Sequence, residues 1–175
     1  MGTRPRVTIG IPVLDEEGHL GRCLRAVEAQ SYPEILQVLV VDGGSVDGTV
    51  EVAGGFRGVE VLANPRRTRP AGLNVAIASA KGDVFVRVDA RSVIAPDYVE
   101  ACVAALERSG AAMVGGPMRL SAASPGQRAI KAAMTSRLGS GPAAFRREAG
   151  EARFVDTVYL GAYRLEMVRG LGGYD

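Results

Sequence analysis

Short runs of apolar residues alternate along this chain with segments in which apolar residues recur every three or four positions. The first pattern is typical of strands buried on both faces, and the second of amphipathic helices. Because consecutive parallel strands need a crossover, usually a helix, this order predicts an α/β domain with a mostly parallel central sheet and helices on both faces. The predicted strands are Val7 to Val13, Leu36 to Val41, Val59 to Leu62, Val84 to Val88 and Ala111 to Val114.

The size and composition of the chain point to one compact domain. Its 175 residues are 47% hydrophobic and 23% charged, which is ordinary for a globular protein. Cys23 and Cys102 fall on the apolar faces of predicted helices, so we expect buried free thiols and a cytoplasmic location. No apolar run approaches the ~18 residues of a membrane span. The net charge of +2 is too small to indicate nucleic acid, and we predict no such partner.

The composition changes after Pro117, where alanine, serine, glycine and arginine dominate. The basic residues Arg128, Lys131 and Arg137 of a predicted helix fit either a solvated face or a groove for an anionic or lipid-linked partner. The chain stops at Gly172 to Asp175, which has the composition of a turn, so we expect a truncated domain. The elements predicted in this part are a helix over 129–138, a strand from Phe154 to Leu160 and a helix from Arg164 to Arg169.

Three of the predicted strands end in polar or glycine-rich segments: Pro12 to Glu17, Asp42 to Ser45, and Asp89 to Arg91. Because the carboxyl ends of parallel strands share one edge, where open α/β sheets bind ligands, we expect these segments to converge. We expect a basic loop, Arg66 to Arg69, beside them. Carboxylates accept hydrogen bonds from sugar hydroxyls, and arginines bind phosphates through paired, charge-assisted bonds. The pattern therefore indicates a ligand with both sugar and phosphate groups.

Four stretches of the chain resemble the motifs of a known protein family: Val7 to Glu17, Val40 to Thr49, Asn74 with Gly82 to Asp89, and Gly161 to Asp175. In this order they resemble an opening strand with a Pro-x-x-Asn-Glu-Glu loop, an Asp-Asp/Gly-Gly-Ser-x-Asp-Gly-Thr turn, the segment leading to Asp-x-Asp, and an acceptor-side segment. These are the motifs of the family 2 glycosyltransferases, which have a Rossmann-like GT-A fold, and the chain is most similar to the bacterial exopolysaccharide glucosyltransferases of the succinoglycan type. The resemblance implies a nucleotide-sugar-binding half, 1–117, and an incomplete acceptor-side half, 118–175.

The resemblance implies transfer of a sugar from a nucleotide-diphosphate donor to an acceptor hydroxyl. Most members of the family hold the diphosphate with Mg2+ or Mn2+ through the last acid of Asp-x-Asp, and Asp89 is the candidate metal ligand here. Asp89 and Arg91 are the candidate catalytic residues. The candidate substrate-binding residues are Pro12, Leu14 and Glu16 at the base and ribose, Asp42 and Gly43 at the nucleoside, Arg66 in the basic loop, Asn74, and Tyr163 on the acceptor side.

Three positions depart from the family pattern. Leu14 stands where many members have an aromatic residue, and Gly43 replaces an acid that often recognises a uracil base. Arg91 occupies the position of the metal-ligating acid, and an arginine repels a divalent cation. We hypothesise that Arg91 itself faces the diphosphate and supplies positive charge where the leaving group develops negative charge. The alternative is that Arg91 points to solvent and pairs with a local acid.

The catalytic base is a further departure. An acceptor hydroxyl needs a base within hydrogen-bond reach, and in the family this base is an acid beyond the Gly-Gly-Tyr-Asp segment. The chain stops at Asp175, and we assign the role neither to Asp156 nor to Asp175.

The function predicted from these features is transfer of a hexose, from a donor of the UDP-glucose type, to a saccharide or lipid-linked acceptor in polysaccharide biosynthesis. Its predicted place is the cytoplasm, at the inner face of the cell membrane. The alternatives are a non-catalytic fragment that binds the donor, and a nucleotidyltransferase with a similar sheet. A nucleotidyltransferase normally has a glycine-rich, basic loop where this chain has Asp15 to Glu17. A dinucleotide-dependent dehydrogenase is disfavoured because no Gly-x-Gly-x-x-Gly follows the first strand.

Overall fold

A computed structural model describes residues 3–136, 154–155 and 157–175. The chain forms two compact units, one made of residues 1–114 together with 160–175, and the other of residues 115–159. The first unit carries the polar strand ends that the sequence singled out. The division into halves at residue 117 stays a prediction.

The strands among the described residues are β1 (Val7–Val13), β2 (Ile35–Asp42), β3 (Val59–Ala63), β4 (Val84–Arg87), β5 (Met113–Gly116) and β6 (Tyr159–Arg164). These six strands form one sheet in the order β3-β2-β1-β4-β6-β5. The four strands β1 to β4 run parallel, and β6 runs antiparallel to β4. This arrangement confirms the predicted α/β class and its mostly parallel sheet.

The predicted strand from Phe154 to Leu160 is wrong in its bounds. The observed strand β6 begins at Tyr159 and continues to Arg164, whereas Phe154 and Val155 are exposed and lie outside any strand. Asp156 lies outside the described residues.

The helices follow the predicted order. In α1, Leu20, Cys23, Leu24 and Val27 are buried, which matches the predicted apolar face. The helix α2 begins only at Thr49, so Ser45 lies in the turn that precedes it. The described helices are α1 (Glu17–Glu28), α2 (Thr49–Gly54), α3 (Arg69–Ser79), α4 (Tyr98–Ser109), α5 (Pro125–Thr135) and α6 (Leu165–Gly170).

The core lies around β1, in which Val7, Ile9 and Ile11 are fully buried. Gly10 in this strand leaves room for the ring of Phe85 in β4, since a Cβ atom there would lie 2.5 Å from the ring carbon Cζ. On the same face, Leu73 of α3 belongs to the buried cluster that contains Phe85. Burial of each such side chain contributes about 1.5–3 kcal/mol, so the packing of β1 positions the loops that follow it.

Both cysteines are free and buried, as predicted. Burial, and after it the charge of Asp89, raises the pKa of the Cys23 thiol to about 12. Burial likewise raises the pKa of the Cys102 thiol to about 11. Both side chains are therefore uncharged core residues at neutral pH.

The second unit contributes one described helix, α5, which begins with a capping box between Ser124 and Gln127. None of its residues is buried, and Ile130 is 61% exposed. The helix confirms the predicted one as far as Thr135, while Arg137 lies outside the described residues. Within the part of the chain that the structure describes, no helix is both long and apolar enough to cross a bilayer.

Candidate functional site

The carboxyl ends of β1, β2 and β4 lie side by side, because β1 is hydrogen-bonded to both of the other strands. Val13 at the end of β1 pairs with Asp42 at the end of β2, and Gly10 pairs with Arg87 at the end of β4. The three polar segments therefore meet at one edge of the sheet, as the sequence predicted. We call this edge the donor edge, from the role predicted for it.

Hydrogen bonds join the loop after β1 to the loop after β2. The backbone amide of Asp15 donates to the hydroxyl of Ser45 over 2.9 Å, and the Asp15 carboxylate accepts from the amide of Val46 over 2.8 Å. The amide of Glu16 donates to the hydroxyl of Thr49 over 2.8 Å. These bonds fix the Glu16 side chain at the donor edge, where it is only 15% exposed.

Asp42 caps its own turn. Its carboxylate accepts hydrogen bonds from the amides of Gly44 and Ser45, over 2.9 and 3.1 Å, and from the Ser45 hydroxyl. The next residue, Gly43, donates its amide to the carbonyl of Val13 over 2.9 Å. Asp42 and Gly43 thus shape the turn that lies beside the half-buried Pro12 and the exposed Leu14. Substrate binding by these four residues stays a prediction.

Two arginines surround Asp89. Arg87, two residues earlier on β4, donates from Nε and Nη2 to the carboxylate over 3.1–3.2 Å. Arg69, at the start of α3, places Nη1 3.8 Å from the same carboxylate. Burial lowers the pKa of Arg87, but the charge and hydrogen bonds of Asp89 outweigh it, so that the pKa is raised. Asp89 is therefore held as an oriented hydrogen-bond acceptor.

Arg91 pairs with Glu16. Its Nε lies 2.9 Å from both carboxylate oxygens, and the hydrogen bond and then the charge of Glu16 raise its pKa. His19 lies on the other side of this carboxylate, with Nδ1 3.2 Å from Oε2. The Arg91 side chain is 68% exposed. This is the arrangement of the alternative considered from sequence, a solvent-facing arginine paired with a local acid, and contact of Arg91 with a diphosphate stays a prediction.

The residues at the donor edge do not fit a divalent cation. Asp89, the predicted ligand, is engaged by Arg87 and Arg69, and two positive charges beside a carboxylate oppose a cation there. Among the described residues, no group of three or more acidic, cysteine or histidine side chains could hold a metal.

The basic loop before α3 reaches the same edge. Arg66, which the sequence analysis selected, is exposed. Arg67 has a left-handed backbone with φ of +57°, and its Nη1 lies 3.6 Å from where a Cβ of Gly44 would be. Arg67, Arg69 and Arg87 were not predicted individually as site residues. The pairing of Arg87 with Asp89 could have been predicted, because residues i and i+2 lie on the same face of a strand.

Asn74 and Tyr163 lie near the chain's last residues. The side-chain amide of Asn74, on α3, bonds to the backbone of Tyr174 through both its nitrogen and its oxygen, each over 2.7 Å. The rings of Tyr163 and Tyr174 pack edge to face, with centroids 6.1 Å apart. Substrate binding by Asn74 and acceptor binding by Tyr163 stay predictions.

Among curated proteins, the chain is similar to the succinoglycan biosynthesis protein ExoA of Rhizobium meliloti, with 32% identity over 173 residues. That alignment covers 95% of this chain and 52% of the relative. A dolichyl N-acetyl-alpha-D-glucosaminyl phosphate 3-beta-D-2,3-diacetamido-2,3-dideoxy-beta-D-glucuronosyltransferase of Methanococcus voltae is 26% identical, over 93% of this chain and 54% of the relative. The chain thus spans about half the length of these relatives.

Solved structures share the fold. A mannosyltransferase of Pyrobaculum calidifontis, in complex with GDP-Man and Mn2+, superposes with a TM-score of 0.75 at 24% identity, covering 99% of this chain and 48% of that one. TarS 1-349 of S. aureus in complex with UDP gives a TM-score of 0.71 at 16% identity, covering 97% and 49%. These likenesses confirm the predicted GT-A fold.

The family model described as "Glycosyl transferase family 2" matches residues 8–166, which is most of the chain. That range includes the three strand ends that meet at the donor edge. The resemblance seen in the motifs is confirmed, and the chain belongs to glycosyl transferase family 2.

Proposed function

We propose that the protein transfers a hexose from a nucleotide-diphosphate sugar to an acceptor hydroxyl, as a glycosyltransferase of polysaccharide biosynthesis. The observation that carries this proposal is the donor edge, where oriented carboxylates and exposed arginines stand side by side. Glu16 and Asp89 present carboxylate oxygens to sugar or ribose hydroxyls. Arg69 and Arg91 present exposed guanidinium groups to phosphates.

The nucleoside end of the donor would lie along the loops after β1 and β2. Pro12 and Leu14 offer apolar surface to the base, while the turn at Asp42 and Gly43 offers backbone groups. Leu14 has no aromatic face and Gly43 has no carboxylate, so the base would be held by few side-chain contacts. We therefore propose UDP-glucose as the first donor to try, and GDP-mannose as its competitor.

Charge on the departing diphosphate would be balanced by arginine side chains. Arg91 is more than two-thirds exposed, so its bond to Glu16 can be exchanged for a phosphate with little rearrangement. Arg69 lies beside Asp89, and Arg66 lies in the same basic loop. Fixed positive charge of this kind stabilises a leaving group without reorganisation during the reaction. The mannosyltransferase of Pyrobaculum calidifontis is in complex with GDP-Man and Mn2+, so a metal ion is the competing source of positive charge at the diphosphate.

The acceptor would be a saccharide or a lipid-linked sugar. Two relatives support this class by their names, one in succinoglycan biosynthesis and the other acting on a dolichyl-linked sugar phosphate. In the second unit, α5 exposes Ile130 between the basic residues Arg128 and Lys131. A helix of this composition suits the surface of an anionic membrane, and we propose peripheral attachment at the inner face of the cell membrane.

A second candidate function is donor binding without transfer. Three of the carboxylates at the strand ends are engaged by other groups: Asp42 by its turn, Asp89 by Arg87 and Arg69, and Glu16 by Arg91. A carboxylate that is already paired with an arginine or with backbone amides is a weaker base for an acceptor hydroxyl than an unpaired one. This candidate predicts donor binding with no sugar transfer.

The test is calorimetric titration of the 175-residue chain with UDP, UDP-glucose and GDP-mannose, in Mn2+ and in EDTA. We expect binding in EDTA, and about tenfold weaker binding by Arg91→Ala, because one charge-assisted hydrogen bond contributes about 1.5 kcal/mol or more. Arg108→Ala, an exposed arginine at the end of α4, is the matched control and should bind as the wild type does.

Binding only in Mn2+ would contradict the arginine-based site, and binding to none of the three ligands would contradict the donor site itself. Incubation of the chain with labelled donor and a lipid-linked saccharide acceptor separates the two candidate functions. Label in the acceptor supports the transferase, and bound donor with unlabelled acceptor supports the binding fragment.

A further inference from the structure

One side chain joins α3 to the segment after α6. The amide nitrogen of Asn74 donates to the carbonyl of Tyr174, and the amide oxygen accepts from the backbone nitrogen of the same residue. Both distances are 2.7 Å. A side-chain amide combines a donor and an acceptor, so it can satisfy both backbone groups of one residue as a neighbouring strand does. We call this pair of bonds the Asn74 clasp.

The backbone next to Tyr174 suits the clasp. Gly173 has φ of +88°, a conformation that glycine adopts without the cost that other residues incur. A Cβ atom at this position would overlap Oδ1 of Asn74. The segment therefore approaches Asn74 as closely as it does because position 173 carries no side chain.

A second set of hydrogen bonds also attaches this part of the chain to α3. Arg169 of α6 donates to the carbonyls of Ile77 and Ala80 at the end of α3, each over 2.8 Å. These bonds cap the carboxyl end of α3 and tie α6 to it. What the Asn74 clasp adds is the position of Tyr174, which lies beyond α6.

Tyr174 in turn lies against the groups that orient Asp89. Its ring meets Tyr163 of β6 edge to face, at an interplanar angle of 77°. Its hydroxyl is buried, and no group among the described residues forms a hydrogen bond of good geometry with it. Tyr163 and Arg87 are nevertheless close enough to alter its pKa. Burial and then Tyr163 raise that pKa, while Arg87 lowers it in part.

We propose that Asn74 is a positioning residue: its clasp holds Tyr174 against Tyr163 and Arg87, and thereby fixes the Arg87–Asp89 ion pair at the donor edge. This inference rests on the proposed function, because it assumes that Asp89 faces the donor. It assigns Asn74 a role through Tyr174 instead of direct contact with substrate.

The physical reason lies in how Asp89 is held. Arg87 and Asp89 are only 22% and 20% exposed, so their orientation depends on protein neighbours more than on water. Tyr163 of β6 pairs with Phe85 of β4, so its side chain lies on the face of the sheet that also carries Arg87, two residues further along β4. Tyr174 packs against Tyr163 on this side, and both tyrosines affect the pKa of Arg87. A shift of Tyr174 would let Arg87 turn, and Asp89 would turn with it. Displacement of a binding group by about 1 Å is enough to lower activity up to about 100-fold.

The test uses two substitutions that open the clasp from opposite sides. Asn74→Asp keeps the size of the side chain but replaces its donor with an oxygen that repels the carbonyl of Tyr174. Gly173→Ala places a methyl group against Asn74 Oδ1. Arg169→Gln is the matched control, because it removes bonds between α6 and α3 without touching the clasp. Tyr174→Phe identifies the signal of the Tyr174 hydroxyl.

Two readouts are needed. The first is the alkaline titration of the tyrosines by absorbance near 295 nm, which needs no donor. The protein has five tyrosines and no tryptophan. The transition that Tyr174→Phe removes belongs to Tyr174. In the wild type we expect this transition at a higher pH than that of an ordinary tyrosine. In Asn74→Asp and Gly173→Ala we expect it to shift down, towards the pH of an ordinary tyrosine.

The second readout is the affinity for UDP-glucose in EDTA. We expect these variants to weaken it about tenfold, which is the effect of one or two lost hydrogen bonds.

Arg169→Gln is expected to lower the melting temperature and to leave both readouts unchanged. If the clasp variants lower only the melting temperature, the clasp is structural and the proposal is overturned. If they weaken donor binding while the Tyr174 transition stays in place, Asn74 itself touches the donor and the proposal is again wrong. If the wild type binds no donor, the proposed function is wrong. The tyrosine titration still tests the clasp in that case, because it needs no donor: a Tyr174 transition at the wild-type pH in both clasp variants would overturn the positioning role.

Discussion

Arg87 and Arg91 each pair with a carboxylate at the donor edge, yet the two pairs differ in what they do. Arg87 is 22% exposed and bound to Asp89 through two nitrogens, so it is part of the framework that orients this acid. Arg91 is 68% exposed and bound to Glu16 through Nε. An exposed pair contributes little to stability and exchanges partners readily. Arg87 therefore holds Asp89 in its orientation, whereas Arg91 is exposed and can exchange Glu16 for another anionic group.

At this scale we predict the effect of Asp89→Asn. The substitution removes the negative charge beside Arg87 but keeps the shape of the side chain, so it leaves a largely buried guanidinium without its counter-charge. We expect the free energy of unfolding to fall by about 1–3 kcal/mol, as when a buried group loses its partner. Urea unfolding followed by circular dichroism measures this change.

Asp97→Asn is the matched control for Asp89→Asn. Asp97 is exposed and precedes α4, and its side chain makes no capping hydrogen bond to that helix. We expect its substitution to change stability by less than about 0.5 kcal/mol. Equal stability of the two variants would mean that Arg87 needs no counter-charge.

The same residues show how far the sequence alone could lead. Asp42, Glu16 and Asp89 were located at the donor edge because acids at the ends of buried parallel strands must converge. Which side chain pairs with each acid was not predicted, although an acidic partner for Arg91 was one of the two alternatives. Arg69 reaches Asp89 from the start of α3, and Arg91 reaches Glu16 across 75 positions of sequence. Periodicity describes one element at a time, so it does not report which side chains meet between loops.

At the scale of elements, burial decided which predictions held. β1 is a continuous apolar run, and it lies at the centre of the parallel strands with most of its residues buried. β6 was misplaced because Phe154 and Val155 give a strand-like composition, although both side chains are exposed. The observed strand also contains Leu160 and Gly161 in left-handed conformations, with φ of +61° and +64°. Backbone of this kind leaves no regular alternation for a sequence pattern to reveal.

The packing of β1 against β4 yields a prediction for Gly10→Ala. The added methyl group would lie 2.5 Å from Cζ of Phe85 and 3.0 Å from Cβ of Ala76, inside a fully packed core. Either the ring or the strand must move, and we expect a loss of about 1–3 kcal/mol in the free energy of unfolding. Thermal or urea unfolding measures the loss.

Gly18→Ala, in α1, is the control for Gly10→Ala. Apart from its chain neighbours and the nearby backbone of its own helix, no atom lies within 4 Å of the added Cβ, and alanine favours a helix over glycine. We expect this variant to gain about 0.5–1 kcal/mol. A Gly10→Ala protein as stable as Gly18→Ala would show that β4 can shift away from β1 freely.

For the molecule as a whole, charge is distributed unevenly even though the net charge is only +2. At the donor edge, Asp42 is satisfied by backbone amides, Asp89 by arginines, and Glu16 by Arg91 and His19. The arginines of the loop from Arg66 to Arg69 lie beside them. An anionic ligand would therefore meet positive charge that the protein itself provides. Such attraction depends on ionic strength, whereas attraction through a bound metal depends on the metal concentration.

This difference leads to a prediction about stability in the presence of UDP. In EDTA and low salt, UDP at about 100 times its Kd should raise the free energy of unfolding by about 2.7 kcal/mol, since only the folded chain binds it. Raising the salt from about 0.1 M to about 1 M shortens the Debye length from about 10 Å to about 3 Å, so the stabilisation at the same UDP concentration should shrink markedly. Melting temperatures with and without UDP at both salt concentrations measure this change.

Uridine, which has the base and ribose but no phosphate, is the control ligand. Any stabilisation that it gives should be the same at both salt concentrations. Stabilisation by UDP that appears only with Mn2+, and persists in high salt, would assign the charge at this edge to a metal instead of to the arginines.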